Sequence, residues 1–239
     1  MINTYNETSL HKTLKIIYCN DFNGNIEVEK TGHIYDILSE NQIIEIQTKN
    51  LSKLLPKALD SIDKGFNFKI VYPLVINKWI ETYDTTGKLI SKRKSPVTQS
   101  IYNIFDELTG LYPVLLNPKF TLDIVSINTI EKRTKLNENV QTLNKSRRFK
   151  KNWIKTDKLL KEIKATDIYS KKEDYFNLIP KEILPEFCAK DLYNSLKNHK
   201  TLPSTAPKNA HIMIWVLRHM DLIEETAVIK RNHYYKINE

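Results

Sequence analysis

The sequence predicts an α/β fold, a mixed β-sheet flanked by helices, followed by a small α+β domain. Two observations support this prediction. Apolar residues in residues 1–130 switch repeatedly between helical spacing and the alternation that is typical of strands. Residues 179–239 instead carry two helical patterns and then a β-hairpin. We therefore divide the 239-residue chain into residues 1–130, a strongly basic connector at 131–178 and a C-terminal domain at 179–239.

The elements of the first part follow from residue spacing. An amphipathic helix is predicted at residues 8–19, because Leu10, Leu14 and Ile17 share one face. Residues 32–48 have the pattern of two short strands joined by a polar turn. The other predicted elements are a helix at 51–64, a buried strand at 66–76 interrupted near its end by Pro73, a hairpin at 79–93, a helix at 97–108 and a strand at 120–130.

Composition limits the classes of partner. The chain carries 37 Lys and Arg residues against 28 Asp and Glu, a formal net charge of +9, and its pI is about 9.3. This excess favours an anionic partner, nucleic acid first. The two cysteines, Cys19 and Cys188, belong to no zinc-type motif. Because the N-terminus lacks an apolar signal region and no stretch could span a bilayer, we expect a soluble, reduced, cytoplasmic protein.

Two acidic residues lie within the hairpin at residues 32–48. Asp36 is in the middle of the first strand, and Glu45 is in the second, on the face opposite to Ile44 and Ile46. An acid in a strand middle is costly to bury without a partner. Two acids on neighbouring strands repel each other unless a cation lies between them. Such carboxylates suit Mg²⁺, so we expect a metal-dependent phosphodiesterase site. The alternative is a solvated edge hairpin with polar residues facing water.

The pattern of Asp36, Glu45 and Gln47 resembles the PD-(D/E)XK nuclease superfamily, which includes many restriction endonucleases. Gln47 stands where that family usually has lysine, and glutamine cannot act as a general base. Lys49 would lie on the same face if the strand continued, and would then supply the missing charge. The resemblance covers about residues 1–130, and it implies a restriction-endonuclease-like mixed sheet with helices on both faces.

Glu7 lies at the start of the first predicted helix. The resemblance implies that this helix contributes an acid to the metal site, beside Asp36 and Glu45. The alternative is that Glu7 only makes a favourable contact with the helix dipole. The implied catalytic set is Glu7, Asp36, Glu45, Gln47 and Lys49. In it the three carboxylates hold Mg²⁺, and Gln47 or Lys49 contacts the attacked phosphate or the attacking water.

Two basic segments are candidates for contact with DNA phosphates, which would position the protein without specifying a sequence. The second strand of the hairpin at 79–93 either lies along DNA or is an edge strand protected by lysine. The connector either clamps the DNA backbone or is a solvated helical face or linker. The residues predicted to contact DNA are Lys92, Arg93 and Lys94 in the first segment, and Arg147, Arg148, Lys150 and Lys151 in the second.

The C-terminal residues resemble a winged helix domain. Helical patterns at 187–201 and 208–224 precede a hairpin at 225–238. The resemblance implies that the N-terminal part of the second helix enters the major groove of DNA. It places Lys208, Asn209 and His211 at base edges, and Lys230 and Arg231 at the backbone or minor groove. The alternative is a winged helix that binds another protein.

A nuclease-like core followed by a DNA-reading domain predicts a sequence-specific, Mg²⁺-dependent endonuclease of double-stranded DNA, and a type II restriction enzyme is the nearest class. Cutting both strands favours a homodimer on a palindromic site, with a cognate DNA methyltransferase as functional partner. Two alternatives remain open. One is a DNA-binding regulator whose nuclease-like core is inactive, which Gln47 favours. The other is a repair or recombination nuclease that recognises DNA structure.

Overall fold

The computed structural model describes residues 7–142, 145 and 148–238. Within these residues, seven strands form a large sheet and three form a small one. The large sheet contains β1 (Asn25–Lys30), β2 (His33–Ser39), β3 (Gln42–Ile46), β4 (Asn67–Tyr83), β5 (Leu89–Lys94), β6 (Phe120–Val140) and β7 (Lys151–Tyr169). The small sheet contains β8 (Glu186–Cys188), β9 (Ile223–Ile229) and β10 (Asn232–Ile237). The α-helices are α1 (Ser9–Asp21), α2 (Leu55–Asp63), α3 (Phe105–Leu108), α4 (Lys172–Phe176), α5 (Ala189–Asn198) and α6 (Ala210–His219).

The large sheet is mixed and is covered by helices. Its order is β1-β2-β3-β4-β6-β7, and β5 pairs with the outer half of β4. Strands β3 and β6 run parallel to β4, whereas the other neighbours are antiparallel. On one face, Leu10 and Leu14 of α1 pack against Ile44 and Val125. Helices α2 and α3 and the C-terminal elements pack on a second apolar cluster. This confirms the predicted α/β class.

The hairpin that carries Asp36 and Glu45 forms as predicted. Strands β2 and β3 pair antiparallel, and Glu40 in the turn between them has a φ of +42°. That left-handed conformation is uncommon for a non-glycine residue and is typical of tight turns. Residues 25–30 form the edge strand β1, which pairs with β2. Helix α1 begins and ends within two residues of its predicted bounds.

Pro73 does not interrupt β4 as predicted. The strand continues through it, and Pro73 is paired in register with Val125 of β6. The carbonyl of Val71, two residues earlier, accepts a hydrogen bond from Gln47 just beyond β3. The backbone N–H and C=O groups of successive residues alternate between the two sides of a strand, so the backbone nitrogen of Pro73 faces the same side as the Val71 carbonyl. On that side, β3 has already ended at Ile46. Its missing N–H therefore leaves no ladder bond unmade, which is the position in which strands tolerate proline.

The predicted basic connector at 131–178 is largely strand. Strands β6 and β7 pair from Leu122 with Tyr169 out to Val140 with Lys151, so most of this segment belongs to the large sheet. Lysine-rich sequence has a low intrinsic preference for strands, and pairing with a partner strand overrides that preference. The outer halves of β4, β6 and β7, with β5, form an extension of the sheet that we call the basic arm.

Three helices are shorter than predicted. The first C-terminal helix, predicted at 187–201, covers only Ala189–Asn198, because Glu186–Cys188 pair with β10 as β8. Of residues 97–108, the helical part starts only at Ile101, because the Ser100 backbone N–H donates to Asn103 Oδ1 in a capping box. The second C-terminal helix, predicted at 208–224, ends at His219. Asp221 then adopts a φ of +56°, which turns the chain into β9.

The C-terminal elements share a hydrophobic core with the large sheet. Leu192 of α5 and Leu217 of α6 belong to the same buried cluster as Phe105 and Leu108 of α3. The small sheet has the order β8-β10-β9 and is antiparallel throughout. Among the described residues, no helix is both long and apolar enough to cross a membrane.

Candidate active site

Asp36 and Glu45 meet where strands β2 and β3 separate. The last ladder pair on this side is Ile37 with Ile44. Beyond it, carboxylates replace the backbone partners. The Asp36 N–H donates to Glu45 Oε1 at 3.2 Å, and the Ile46 N–H donates to Asp36 Oδ2 at 2.9 Å. The two predicted acids are thus brought together at a point where the backbone no longer occupies the space between the strands.

Lys15 of helix α1 lies among three carboxylates. Its Nζ is 3.0 Å from Glu7 Oε1, 3.2 Å from Glu27 Oε1 and 3.2 Å from Asp36 Oδ1. The residue is only 5% exposed, so this ammonium is almost fully removed from water. Burial by itself lowers the pKa of Lys15, but the charge of Asp36 and the hydrogen bonds to Glu7 and Glu27 outweigh it and raise the pKa. Lys15 therefore stays charged and neutralises part of the acidic cluster.

His11 connects Glu7 to the Asp36 strand pair. Its Nδ1 is hydrogen-bonded to Glu7, while its Nε2 is 2.7 Å from the Ile46 carbonyl oxygen and 3.5 Å from Asp36 Oδ2. Burial lowers the pKa of His11, but the hydrogen bond to Asp36 and the charge of Asp36 raise it by more. The pKa of His11 therefore lies above its ordinary value. A protonated His11 donates from both ring nitrogens and satisfies Glu7 and the carbonyl together.

Glu45 is the acid with the most unusual environment. Burial, together with the negative charge of Asp36, raises the pKa of Glu45 to about 7, although Lys57 of helix α2 opposes this. Lys57 Nζ donates to Glu45 Oε1 at 2.6 Å, and it is 4.8 Å from the centre of the Tyr35 ring. In contrast, hydrogen bonds and charge from His11 lower the pKa of Asp36 despite its burial. The pair therefore combines one firmly ionised carboxylate with one that titrates near neutrality.

Gln47 and Lys49 are placed differently from each other. Gln47 follows directly on β3, is half-buried, and donates its backbone N–H to the Val71 carbonyl at 3.0 Å. Lys49 is exposed in the bend after β3. Its predicted place on the Glu45 face required the strand to continue, but β3 ends at Ile46. The cation that contacts Glu45 is instead Lys57.

Sequence reasoning missed Lys15, Lys57 and Glu27 as site residues. Glu7, His11 and Lys15 are spaced four residues apart, which places them on one side of a helix beside the apolar stripe. That polar stripe was a usable signal. Lys57 and Glu27 carried no comparable signal, because α2 and β1 reach the site only through the fold.

The acidic residues of the site include oxygen ligands of the kind that Mg²⁺ requires. Among the described residues, no group of three or more His, Cys, Asp or Glu side chains is arranged to hold a metal ion. A two-carboxylate site is nevertheless compatible with Mg²⁺, which commonly uses one or two carboxylates with waters and substrate phosphates. Burial and the negative charge of Asp36 raise the pKa of Glu45 even though Lys57 contacts it, and a divalent cation between the two carboxylates would favour the ionised form of both. Asp36 and Glu45 are therefore of the ligand type that suits the ion. All three acids already have cationic neighbours, because His11 and Lys15 contact both Glu7 and Asp36, and Lys57 contacts Glu45.

The predicted phosphate-contacting residues lie on the basic arm. Lys92, Arg93 and Lys94 are on β5, whose six residues are all exposed. Lys92 pairs with Glu81 at 2.8 Å, and Lys94 is 5.7 Å from the centre of the Trp79 ring. At the far end of the arm, Arg148 and Lys150 are exposed between β6 and β7, and Lys151 is exposed at the start of β7. Arg147 lies outside the described residues.

The five predicted DNA-contacting residues of the C-terminal segment do not all face solvent. Lys208 is exposed in the short 3₁₀ helix before α6, and His211 is exposed in the first turn of α6. Lys230 and Arg231 are exposed in the β9–β10 turn. Asn209 is buried, unlike the other four residues. It is 5% exposed and donates through Nδ2 to Asp106 Oδ2 at 3.1 Å, so it joins the C-terminal segment to α3.

An aromatic group on the exposed side of α6 was also missed. The Trp215 and His219 rings stack with centroids 3.7 Å apart, and the edge of Tyr112 contacts both. Trp215 is 41% exposed. Arg218 lies on the same side, 5.6 Å from the centre of the Tyr235 ring. The side of α6 that carries Trp215, Arg218 and His219 therefore faces away from the core, whereas Asn209 faces inward.

Comparison with known proteins places the chain in a family. Residues 8–170 match the family described as "Domain of unknown function (DUF8091)". Because these residues are more than half of the chain, the protein belongs to that family. The match includes Asp36, Glu45 and the strands of the basic arm, begins one residue after Glu7, and ends before the C-terminal segment. A Treponema pallidum (strain Nichols) protein with the name "Uncharacterized protein" is 30% identical over 192 residues, which are 80% of this chain and 73% of that protein. No solved structure matches.

Proposed function

We propose that this protein is a Mg²⁺-dependent endonuclease that cuts double-stranded DNA at specific sequences, in the manner of a type II restriction enzyme. The observation that carries the proposal is the junction of Asp36 and Glu45 at the separation of β2 and β3. The order of helix, antiparallel strands, helix and parallel strand around that junction agrees with the resemblance to PD-(D/E)XK nucleases.

In this proposal Asp36 and Glu45 hold Mg²⁺. When bound, the ion would lower the pKa of a water molecule and stabilise negative charge on the leaving oxygen. Lys57 supplies the positive charge that Gln47 lacks, since its ammonium already contacts Glu45. Gln47 and Lys49 remain candidates for contact with the phosphate. His11 and Lys15 keep Glu7 and Asp36 ionised. Glu7 then either holds α1 in place or serves as the third acid of the metal site.

For DNA recognition, we infer that the C-terminal segment is a winged helix. Helices α5 and α6 lie between β8 and the β9–β10 hairpin, and the hairpin turn carries Lys230 and Arg231. Lys208 just before α6 and His211 in its first turn are exposed. The basic arm provides the phosphate contacts that would fix the protein on the duplex. A homodimer on a palindromic site and a cognate DNA methyltransferase complete the proposal.

The test is cleavage of plasmid and phage DNA by the purified protein, with Mg²⁺ or with EDTA. Discrete fragments that require Mg²⁺ are expected. The variants Asp36→Asn and Glu45→Gln keep the shape of each side chain but remove its charge, and each should reduce cutting at least about 100-fold. Glu29→Gln is the matched control, because Glu29 is an exposed acid on β1. Equal activity of all three variants would refute the assignment of the site.

A DNA-binding regulator with an inactive core is the second candidate. It is favoured by Lys15, whose ammonium lies within 3.2 Å of three carboxylates and already serves as a cation there. A regulator would retain DNA binding and show no cutting of any unmethylated substrate with Mg²⁺. Nicking that depends on DNA structure, without discrete fragments, would instead support a repair or recombination nuclease.

A further inference from the structure

A polar cavity lies in the basic arm, away from the acidic residues described above. Its volume is 210 Å³, and it opens between β4, β6, β7 and the segment that follows β5. Three lysines from two different strands point into it, with an amide and two apolar side chains at its walls. The lining residues are Val75, Lys78, Val97, Gln99, Glu131, Lys155 and Lys158.

The cavity has more positive than negative charge. Its one acid, Glu131, accepts from Arg133 Nη2 at 2.5 Å and lies 3.5 Å from Lys78 Nζ, so its charge is already shared. Within the described part of the chain, neither Lys155 nor Lys158 has a carboxylate within 4.0 Å. Lys158 is half-buried and Lys155 is exposed. Like charges that are held close together in a partly buried cavity repel each other, and such an arrangement is stabilised by an anion.

Lys158 shows the effect of this arrangement. Burial, and then the positive charges of Lys155 and Lys78, lower its pKa to about 8, and Glu131 offsets this only in part. A surface lysine would titrate near pH 10.4. The depressed pKa therefore agrees with the geometry, in which a half-buried ammonium faces two other ammonium groups and one occupied carboxylate.

We propose that this cavity binds a phosphate group through Lys78, Lys155 and Lys158, with the Gln99 amide as a further donor. A cavity of 210 Å³ is smaller than the roughly 300–1,000 Å³ of sites for larger ligands, so it suits one phosphate group and not a whole nucleotide. Three lysines match the high charge of phosphate better than that of a carboxylate. The phosphate comes either from a nucleic acid backbone or from a free phosphate compound.

The test is a direct titration of Lys158. Reductive ¹³C-methylation keeps each lysine charged and makes it visible by NMR, and the Lys158→Arg variant identifies the Lys158 signal. We expect inorganic phosphate, at constant ionic strength, to raise the pKa of Lys158 by about one unit or more. Lys164 on the same strand, paired with Glu162 at 2.5 Å, is the control and should not respond. Lys78→Gln should reduce the response.

A short DNA duplex in a parallel titration distinguishes the two sources. A response to inorganic phosphate alone would identify a site for a free phosphate compound, and a response to the duplex would assign it to the nucleic acid backbone. Both would support the proposal. No response to either, or a full response in Lys78→Gln, would overturn it. The Asp36→Asn variant should respond like the unaltered protein, so this site can be judged independently of cleavage.

Discussion

At the scale of single residues, Glu45 is the group whose charge depends most on its surroundings. Its folded-state pKa of about 7 lies above the usual 4.5, because the residue is buried beside Asp36. The folded protein therefore binds a proton more tightly than the unfolded chain at pH values between these two. The resulting stabilisation is complete below about pH 4.5 and is lost as the pH rises through 7.

The first prediction concerns this dependence on pH. Relative to Glu45→Gln, which cannot ionise, the unaltered protein should lose free energy of unfolding between pH 5 and pH 8. The loss should be on the order of 3 kcal/mol, because the pKa of Glu45 is about 7 in the folded protein against 4.5 in the unfolded chain. Urea unfolding at both pH values measures it. Glu29→Gln, at an exposed site, should follow the unaltered protein. Parallel pH profiles for Glu45→Gln and the unaltered protein would show that Glu45 is not perturbed.

At the scale of elements, helix α1 is fixed at its N-terminus by a residue far away in sequence. Thr8 at the N-cap makes no side-chain capping bond. Instead, Asp157 of β7 accepts from the Ser9 N–H at 3.0 Å and from Ser9 Oγ at 2.5 Å. Burial alone would raise the pKa of Asp157, but these hydrogen bonds lower it. The stripe of Glu7, His11 and Lys15 is thereby held against the sheet.

The second prediction follows from this contact. Asp157→Ala should lower the free energy of unfolding at pH 7 by about 1–2 kcal/mol, because two donors at the helix start lose their acceptor. Hydrogen exchange should accelerate in the first turn of α1 before it does so in β6. Asp167→Ala, an exposed acid on the same strand, is the control and should change neither quantity. In the unaltered protein, the stabilisation by Asp157 should be lost as the pH falls through the lowered pKa of Asp157, because the carboxylate is then protonated.

At the scale of the whole molecule, the C-terminal segment and the large sheet share one hydrophobic core. Leu217 is fully buried in the cluster that also contains Phe105 and Tyr72 of the sheet region. The bond between Asn209 and Asp106 crosses the same boundary. The matched family region ends at residue 170, yet the packing continues across that point.

The third prediction is that the C-terminal segment and the large sheet unfold in one transition. Leu217→Ala should lower stability by about 3 kcal/mol through loss of buried apolar contact. The whole transition should move together when it is followed by far-UV circular dichroism and by the fluorescence of Trp79, Trp153 and Trp215. Ile229→Ala, at a position that is 52% exposed, should have little effect. Two separated transitions, of which only one responds to Leu217→Ala, would show that the segment folds independently.

Local patterns in the sequence were sufficient for much of the fold. Helix α1, the β2–β3 hairpin and the buried strand β4 each carry their own periodicity, so their type was predictable without a partner. The position of Asp36 and Glu45 on adjacent strands followed from the short turn between them, because a hairpin fixes which residues become neighbours. The length of the basic arm did not follow, since lysine-rich strands form only when another strand pairs with them.

The sequence by itself therefore determined the α/β class and the two central acids of the candidate site. Only the tertiary structure decided what surrounds them. Lys57 reaches Glu45, Asp157 reaches Ser9 and Asn209 turns inward to Asp106 through contacts between distant segments. Periodicity and spacing report on neighbours along the chain, whereas burial and charge pairing depend on how whole elements pack. The charge state of a site is accordingly a property of the fold and not of a motif.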